Sequence, residues 1–74
     1  MPRKIRQLIA DVKRAGMMLL PDRAKGSHRI FKHLESGTQV TISGHTGDDA
    51  DRYQEDHVRE ALEKIRRWQL DRES

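Results

Sequence analysis

The sequence predicts an α+β fold of order α-β-β-β-α, in which two helices cover one face of a three-stranded antiparallel sheet. Apolar residues recur at spacings of three and four towards both ends of the chain, as in amphipathic helices. In the middle of the chain they alternate with polar residues, as in strands with one covered face. A sheet with a single apolar face needs both helices on that face, so the other face is predicted to stay open.

The first third of the chain predicts one helix and one short strand. An apolar stripe indicates a helix over about residues 3–15, and Gly16 is expected to cap its end. The members of the stripe are Ile5, Leu8, Ile9 and Val12. The apolar run 17–20 stops at Pro21, which removes a backbone donor, and is typical of an edge strand.

From His28 the apolar period becomes two, which predicts a β-hairpin. Gly37 is expected at the left-handed position of a three-residue loop, 35–37. Successive side chains of a strand point to opposite faces. If Phe31 faces the core together with the apolar residues of the second strand, His28 and Lys32 lie on the open face. His33 then turns inward.

The last third of the chain predicts a polar loop and a second helix. Residues 43–52 are rich in glycine and aspartate, and Asp51 followed by Gln54 resembles a capping box. The neighbouring carboxylates Asp48 and Asp49 are also expected to cap this helix. Apolar spacing then predicts a helix over about 53–69, with residues 70–74 as a frayed tail. Tyr53 and Trp68 stand at core spacing, and His57 near the edge of the stripe is interpreted as structural.

Length and composition predict one small domain, 1–74, with any site on its surface. The chain has 74 residues, 34% of them hydrophobic, and no cysteine. Disulfides and thiolate metal sites are thereby excluded, and no apolar run resembles a signal peptide or a membrane span. A cytoplasmic location is expected. The four histidines lack metal-ligand spacing, so neither a metal nor another cofactor is expected.

Charge is divided unevenly along the chain. Residues 1–34 hold nine Lys or Arg against two Asp, a net of +7, whereas residues 35–74 hold six against ten acidic residues, a net of −4. A basic half of this kind is suited to a polyanion such as nucleic acid. For the helix residues Arg3, Lys4, Lys13 and Arg14, a solvated surface is the better interpretation.

The run Lys25-Gly26-Ser27-His28-Arg29 is the strongest candidate for a site. An imidazole can exchange a proton near neutral pH, and Lys25, Arg29 and the nearby Lys32 are plausible phosphate ligands. Gly26 allows the backbone to approach a ligand closely. An ordinary turn explains the run equally well when it is taken alone.

The wider pattern resembles the HicA toxins of HicA-HicB toxin-antitoxin pairs. The resemblance rests on three segments in this order: Gly26-Ser27-His28-Arg29-x-Phe31-x-His33, the strand Val40-Thr41-Ile42, and Gly47-Asp48-Asp49-Ala50 followed by Tyr53-Gln54-Glu55. It covers nearly the whole chain. It implies a fold like a double-stranded RNA-binding domain and a metal-independent mRNA-cleaving toxin with one active histidine, here His28. It also implies a HicB-type antitoxin as the partner and mRNA as the substrate.

Three functions remain open at this point. The first is an endoribonuclease toxin, and the second is a non-catalytic RNA-binding module, which the same fold and basic half allow. The third is a protein-interaction domain that docks an acidic partner. Scission of RNA needs two proton transfers, and one histidine supplies one of them. His45 is a candidate for the second proton transfer, but an ordinary loop residue is the better interpretation of it.

Overall fold

The computed structural model of the chain describes residues 2–21 and 28–73. These residues form five elements in chain order: helix α1 (Ile5–Arg14), strands β1 (Met18–Leu19), β2 (His28–His33) and β3 (Thr38–Ser43), and helix α2 (Arg52–Glu73). The strands make one antiparallel sheet in the order β1-β2-β3. The predicted α+β fold of order α-β-β-β-α is confirmed.

Both helices bury their apolar stripes against the same face of the sheet. Phe31 of β2 is fully buried, and Val40 and Ile42 of β3 lie beside it in the core. The helices complete the core with Ile5, Leu8 and Val12 of α1 and with Val58, Ala61 and Ile65 of α2. The helices therefore cover the face of the sheet that the sequence predicted, and the predicted alternation of the hairpin side chains is confirmed.

Helix α1 and the edge strand follow the prediction with slightly shorter bounds. Gly16 follows the C-cap with φ +94°, a left-handed conformation that glycine adopts at low cost. Met18 and Leu19 of β1 pair with Lys32 and Phe31 of β2. Met17 lies outside the strand because its amide donates to the Val12 carbonyl of α1 at 3.0 Å, and its side chain is buried in the core.

The hairpin loop is one residue longer than predicted. It comprises residues 34–37, because His33 already pairs with Thr38 across the two strands. The amide of Gly37 donates to the carbonyl of His33 at 2.8 Å and closes the turn there. Gly37 has φ +79°, as the prediction of a left-handed residue at this position requires.

Helix α2 begins at Arg52 and continues to Glu73, so the predicted end at residue 69 is wrong. The added turn contains neither glycine nor proline, and its residues are compatible with a helix. Arg72 donates to the Glu35 carboxylate in the hairpin loop at 2.9 Å, and its guanidinium lies 5.2 Å from the centre of the Trp68 ring. These contacts favour continuation of the helix over fraying.

The loop that follows β3 is tied to the start of α1. The Ile5 amide donates to the Asp48 carbonyl at 2.9 Å, and the Ala50 amide donates to the Arg3 carbonyl at 2.7 Å. The Asp49 carboxylate pairs with the Lys4 ammonium. Asp48 and Asp49 therefore secure this loop to α1, and their predicted role as caps of α2 is wrong. No described helix is both long and apolar enough to cross a membrane.

Candidate functional site

His28 lies on the open face of the sheet, at the first residue of β2. Its position opposite Ser43 in the pairing of β2 with β3 places both side chains on the same face. The side chain is exposed, in contrast to its buried neighbour Phe31 three residues further on. The prediction that parity exposes His28 and turns His33 inward is confirmed.

A serine hydroxyl holds the imidazole of His28. The Nδ1 atom lies 2.8 Å from the Ser43 hydroxyl oxygen, a normal hydrogen-bond distance. Among the described residues no group is hydrogen-bonded to Nε2, so this nitrogen of the exposed ring is available to a ligand. An imidazole that is oriented through one nitrogen and open at the other is suited to proton transfer.

Ser43 is itself held by a buried glutamine of α2. The Gln54 side chain accepts a hydrogen bond from the Ser43 amide at 2.8 Å and donates one to the Ser43 carbonyl at 3.0 Å. Gln54 is only 6% exposed, and these two bonds satisfy its amide. The predicted capping box does not form, because the Gln54 side chain binds the end of β3. This contact positions α2 against β3, the strand whose Ser43 orients His28.

Of the three basic residues predicted beside His28, the two that the structure describes do not converge on it. Arg29 has the opposite parity, is half-buried and donates to the Gly44 carbonyl at 2.9 Å. Lys32 shares the open face with His28 but stands four residues further along β2, roughly 13 Å away at the usual strand rise. Lys25, Gly26 and Ser27 lie outside the described residues. A contact of Lys32 with RNA would therefore involve a different phosphate from the one at His28.

Ion pairs engage three described cations of the basic half, one of which is Arg14, 3.7 Å from the Asp11 carboxylate. Arg3 donates to the Asp11 carboxylate, and this side-chain hydrogen bond raises the pKa of Arg3 above its usual value. Lys4 pairs with Asp49. These contacts support the interpretation of the α1 cations as part of an ordinary charged surface.

A groove runs between β3 and α2, and the sequence did not indicate it. Its volume is about 890 Å³, and His28 and Ser43 line it at the open end of the hairpin. Helix α2 contributes Tyr53, His57 and Lys64. The cross-strand register could have identified Ser43 as the partner of His28, since both residues fall on the open face. No sequence signal indicated that Gln54 would replace Tyr53 at the buried position.

The remaining histidines and acidic residues occupy other environments. His45 is not among the described residues that line this groove. Its backbone amide donates to the Asp48 carboxylate at 3.1 Å. His57 is exposed, and its ring contacts the ring of Tyr53. Its predicted structural role is therefore limited to this contact at the surface. Residues 2–21 and 28–73 contain no group of three or more His, Cys, Asp or Glu side chains that could hold a metal ion.

Comparison with known proteins identifies one family. A family model described as HicA toxin of bacterial toxin-antitoxin matches residues 5–65, a range that begins with α1 and ends in α2. This range contains all three strands and most of the open face, including His28 and Ser43. No curated protein and no solved structure matches the chain.

Proposed function

This chain belongs to the HicA toxin family, and from that premise we propose that it is an endoribonuclease that cleaves mRNA with His28 as its catalytic residue. Membership of the family makes it a toxin of a toxin-antitoxin pair. The observation that carries the finer proposal is the environment of His28. This imidazole is exposed in a groove, held through Nδ1 by Ser43 and open at Nε2.

The proposed chemistry is scission of RNA by internal attack. The 2′-oxygen of a ribose forms a bond to the adjacent phosphorus while the bond from phosphorus to the 5′-oxygen breaks. The 2′-hydroxyl gives up a proton, the departing 5′-oxygen gains one, and negative charge grows on the phosphoryl oxygens. We assign one of the two proton transfers to the Nε2 atom of His28. None of these steps requires a metal ion.

Substrate contacts are proposed on the same face. Lys32 is suited to a phosphate along the strand, and Lys25 is proposed as a second phosphate ligand because of its charge. The family motif supports Gly26 and Ser27 as further RNA-binding residues. Arg29 is oriented towards the Gly44 carbonyl on the other side of the sheet. Its proposed contribution is therefore to hold the junction of β3 with its loop. The expected salt dependence of RNA affinity also separates this function from that of a domain that binds only protein.

Substitution of His28 tests the proposal directly. Wild type, His28→Ala and His45→Ala are incubated with a long unstructured RNA in the presence of a chelator. Wild type and His45→Ala are expected to cleave, whereas His28→Ala is expected to be at least about 100-fold slower. His45→Ala is a matched control because it removes an exposed histidine outside the groove.

Each other outcome of that assay has a definite meaning. Equal cleavage by wild type and His28→Ala would remove His28 from the mechanism. Binding of RNA without cleavage by wild type would favour the non-catalytic RNA-binding module. Loss of activity in His45→Ala would instead identify His45 as the second proton-transfer group.

The proposed natural partner is a HicB-type antitoxin that covers His28 and the open face. An acidic antitoxin surface would neutralise the cations that attract phosphate, and one small face leaves little room for two large ligands. RNA and antitoxin should then compete for the toxin. Antitoxin is titrated into a labelled RNA complex of His28→Ala, and release of RNA is expected. A stable ternary complex at saturating antitoxin would show that inhibition acts from another surface.

A further inference from the structure

The β3–α2 groove contains a large aromatic side chain that the fold leaves in solvent. Tyr53, in the first turn of α2, is 57% exposed, although its spacing in the sequence predicted a core position. The buried position beside it is occupied by Gln54. A tyrosine in the core contributes to stability, whereas an exposed one does so only weakly. The packing of the domain does not explain this ring.

A second ring limits the orientation of Tyr53. The His57 imidazole, one helical turn further on, lies 5.6 Å from the Tyr53 ring at an interplanar angle of 81°, an edge-to-face contact. Both residues line the groove, followed on the same side of α2 by Lys64. The His57 ring thus supports the tyrosine from the helix side.

The two rings are continuous with the candidate catalytic histidine. His28 bonds to Ser43, Ser43 is bound through its backbone by Gln54, and Gln54 adjoins Tyr53 in the chain. His28 and Tyr53 line the same groove. A nucleotide strand with a phosphate at His28 would therefore place a neighbouring nucleotide beside Tyr53.

The groove lining is suited to bases better than to phosphates. Apart from the histidines, the described residues that line it include one carboxylate, Glu60, and one ammonium group, Lys64, whose charges offset each other. Most of the other lining residues present uncharged hydroxyl or amide groups or aromatic rings. Unpaired bases bind to proteins by stacking on aromatic rings and by hydrogen bonds along their edges. The described lining residues therefore carry no excess of positive charge that would attract an acidic protein surface into the groove.

We propose that Tyr53 is a stacking platform for an unpaired RNA base next to the phosphate on which His28 acts. This inference rests on the proposed function and adds a subsite to it. The occupant is a segment of single-stranded RNA that enters along β3. The subsite would favour single-stranded over double-helical substrate, because a base inside a duplex cannot reach the ring.

The test compares oligonucleotides with and without bases. Fluorescently labelled oligoadenylate and an abasic ribose-phosphate strand of equal length are bound to His28→Ala protein, which keeps the RNA intact. The same affinities are then measured for double variants that combine His28→Ala with Tyr53→Ala, Tyr53→Phe or Leu70→Ala. Leu70 is a matched control because it is also an exposed apolar residue of α2, 54% exposed, but lies outside the groove.

The expected result is specific to stacking. Tyr53→Ala should weaken the binding of oligoadenylate by about 5- to 100-fold and leave the binding of the abasic strand within about twofold. Tyr53→Phe keeps the ring and should stay within about threefold of the parent protein. Leu70→Ala should change neither affinity.

Three results would overturn the proposal. An equal loss for both strands would mean that Tyr53 acts on the backbone or on the fold. A large loss in Tyr53→Phe would mean that the hydroxyl, and not the ring, makes the contact. Unchanged RNA affinity in Tyr53→Ala together with weaker antitoxin binding would assign the groove to a protein partner.

The same proteins distinguish failure of this inference from failure of the proposed function. If Tyr53→Ala in an otherwise wild-type chain binds and cleaves RNA as wild type does, the stacking subsite is wrong while the endoribonuclease stands. If wild type neither binds nor cleaves RNA, the proposed function fails and the subsite fails with it.

Discussion

Two histidines of β2 have the same kind of partner and opposite surroundings. Nδ1 of His28 lies 2.8 Å from the Ser43 hydroxyl, and Nδ1 of His33 lies 2.7 Å from the Ser36 hydroxyl. They are five residues apart, so an odd number of steps along the strand places them on opposite faces of the sheet. His28 is exposed on the open face, whereas His33 is 6% exposed on the covered one.

The surroundings of His33 are those of a structural residue. Its ring makes an edge-to-face contact with Trp68, with centroids 5.3 Å apart, and a Cβ added at Gly16 would lie 3.5 Å from it. The Ser36 amide donates to Nδ1 at 3.2 Å, and the Ser36 hydroxyl oxygen lies 2.7 Å from the same nitrogen. These contacts secure the closed end of the hairpin.

The contrast shows that a hydrogen bond from serine to histidine does not by itself make a catalytic group. In His33 the bond satisfies a buried ring that has no access to substrate. In His28 a similar bond orients a ring whose other nitrogen is open to solvent. Burial, which the strand parity determines, separates the structural role from the proposed catalytic one.

The largest expected effect tests which face of β2 is buried. Phe31→Ala should lower the free energy of unfolding by about 3 to 5 kcal/mol, since it removes a fully buried ring between the helices and the sheet. Denaturant titration measures this loss, and Ile30→Ala on the open face is the control with a smaller loss. A loss below about 1 kcal/mol for Phe31→Ala would mean that the faces are reversed.

The next effect separates the two histidines by stability. His33→Ala should cost about 2 to 3 kcal/mol, because it leaves the half-buried Ser36 amide without its acceptor and removes the contact with Trp68. His28→Ala should stay within about 0.5 kcal/mol of wild type, since the exposed ring leaves no cavity. Thermal and denaturant unfolding of both variants provides the measurement. Equal losses would contradict the division into structural and catalytic histidines.

A third effect concerns the serine of each pair. Ser43→Ala should slow RNA cleavage about tenfold by releasing the His28 ring, and should alter the dependence of the rate on pH. Ser43→Thr keeps a hydroxyl and is expected to restore most of the rate. Ser36→Ala removes the corresponding hydroxyl at His33 and should leave cleavage by folded protein unchanged. A rate loss in Ser43→Ala without any change in the pH profile would indicate a merely structural role.

The smallest expected effect concerns charge on the open face. Lys32→Glu should weaken RNA binding several-fold at low salt and reduce the slope of log affinity against log salt by about 1, since one phosphate contact is lost. Arg66→Glu makes the same charge change on an exposed position of α2 outside the groove. An equal loss in both variants would indicate a general charge effect with no specific contact at Lys32.

Much of the fold could be predicted because its elements are local patterns. The spacing of apolar residues changes from three and four, as in a helix, to two, as in a strand, and then back again. This change placed every element within a few residues of its observed bounds. The parity of the hairpin correctly exposed His28 and buried Phe31 and His33. The ends of elements were harder to predict, since the last turn of α2 makes a contact, between Arg72 and Glu35, that joins residues far apart in the chain.

The sequence by itself determined the order of the elements, the covered face of the sheet and the exposure of His28, because periodicity assigns each residue to a face without reference to distant neighbours. Only the tertiary structure decided what surrounds that histidine. The rotation of α2 about its own axis depends on how it packs against α1 and β3, which turned Gln54 towards Ser43 and left Tyr53 in solvent. Such packing joins residues distant in sequence, and local spacing contains no record of it.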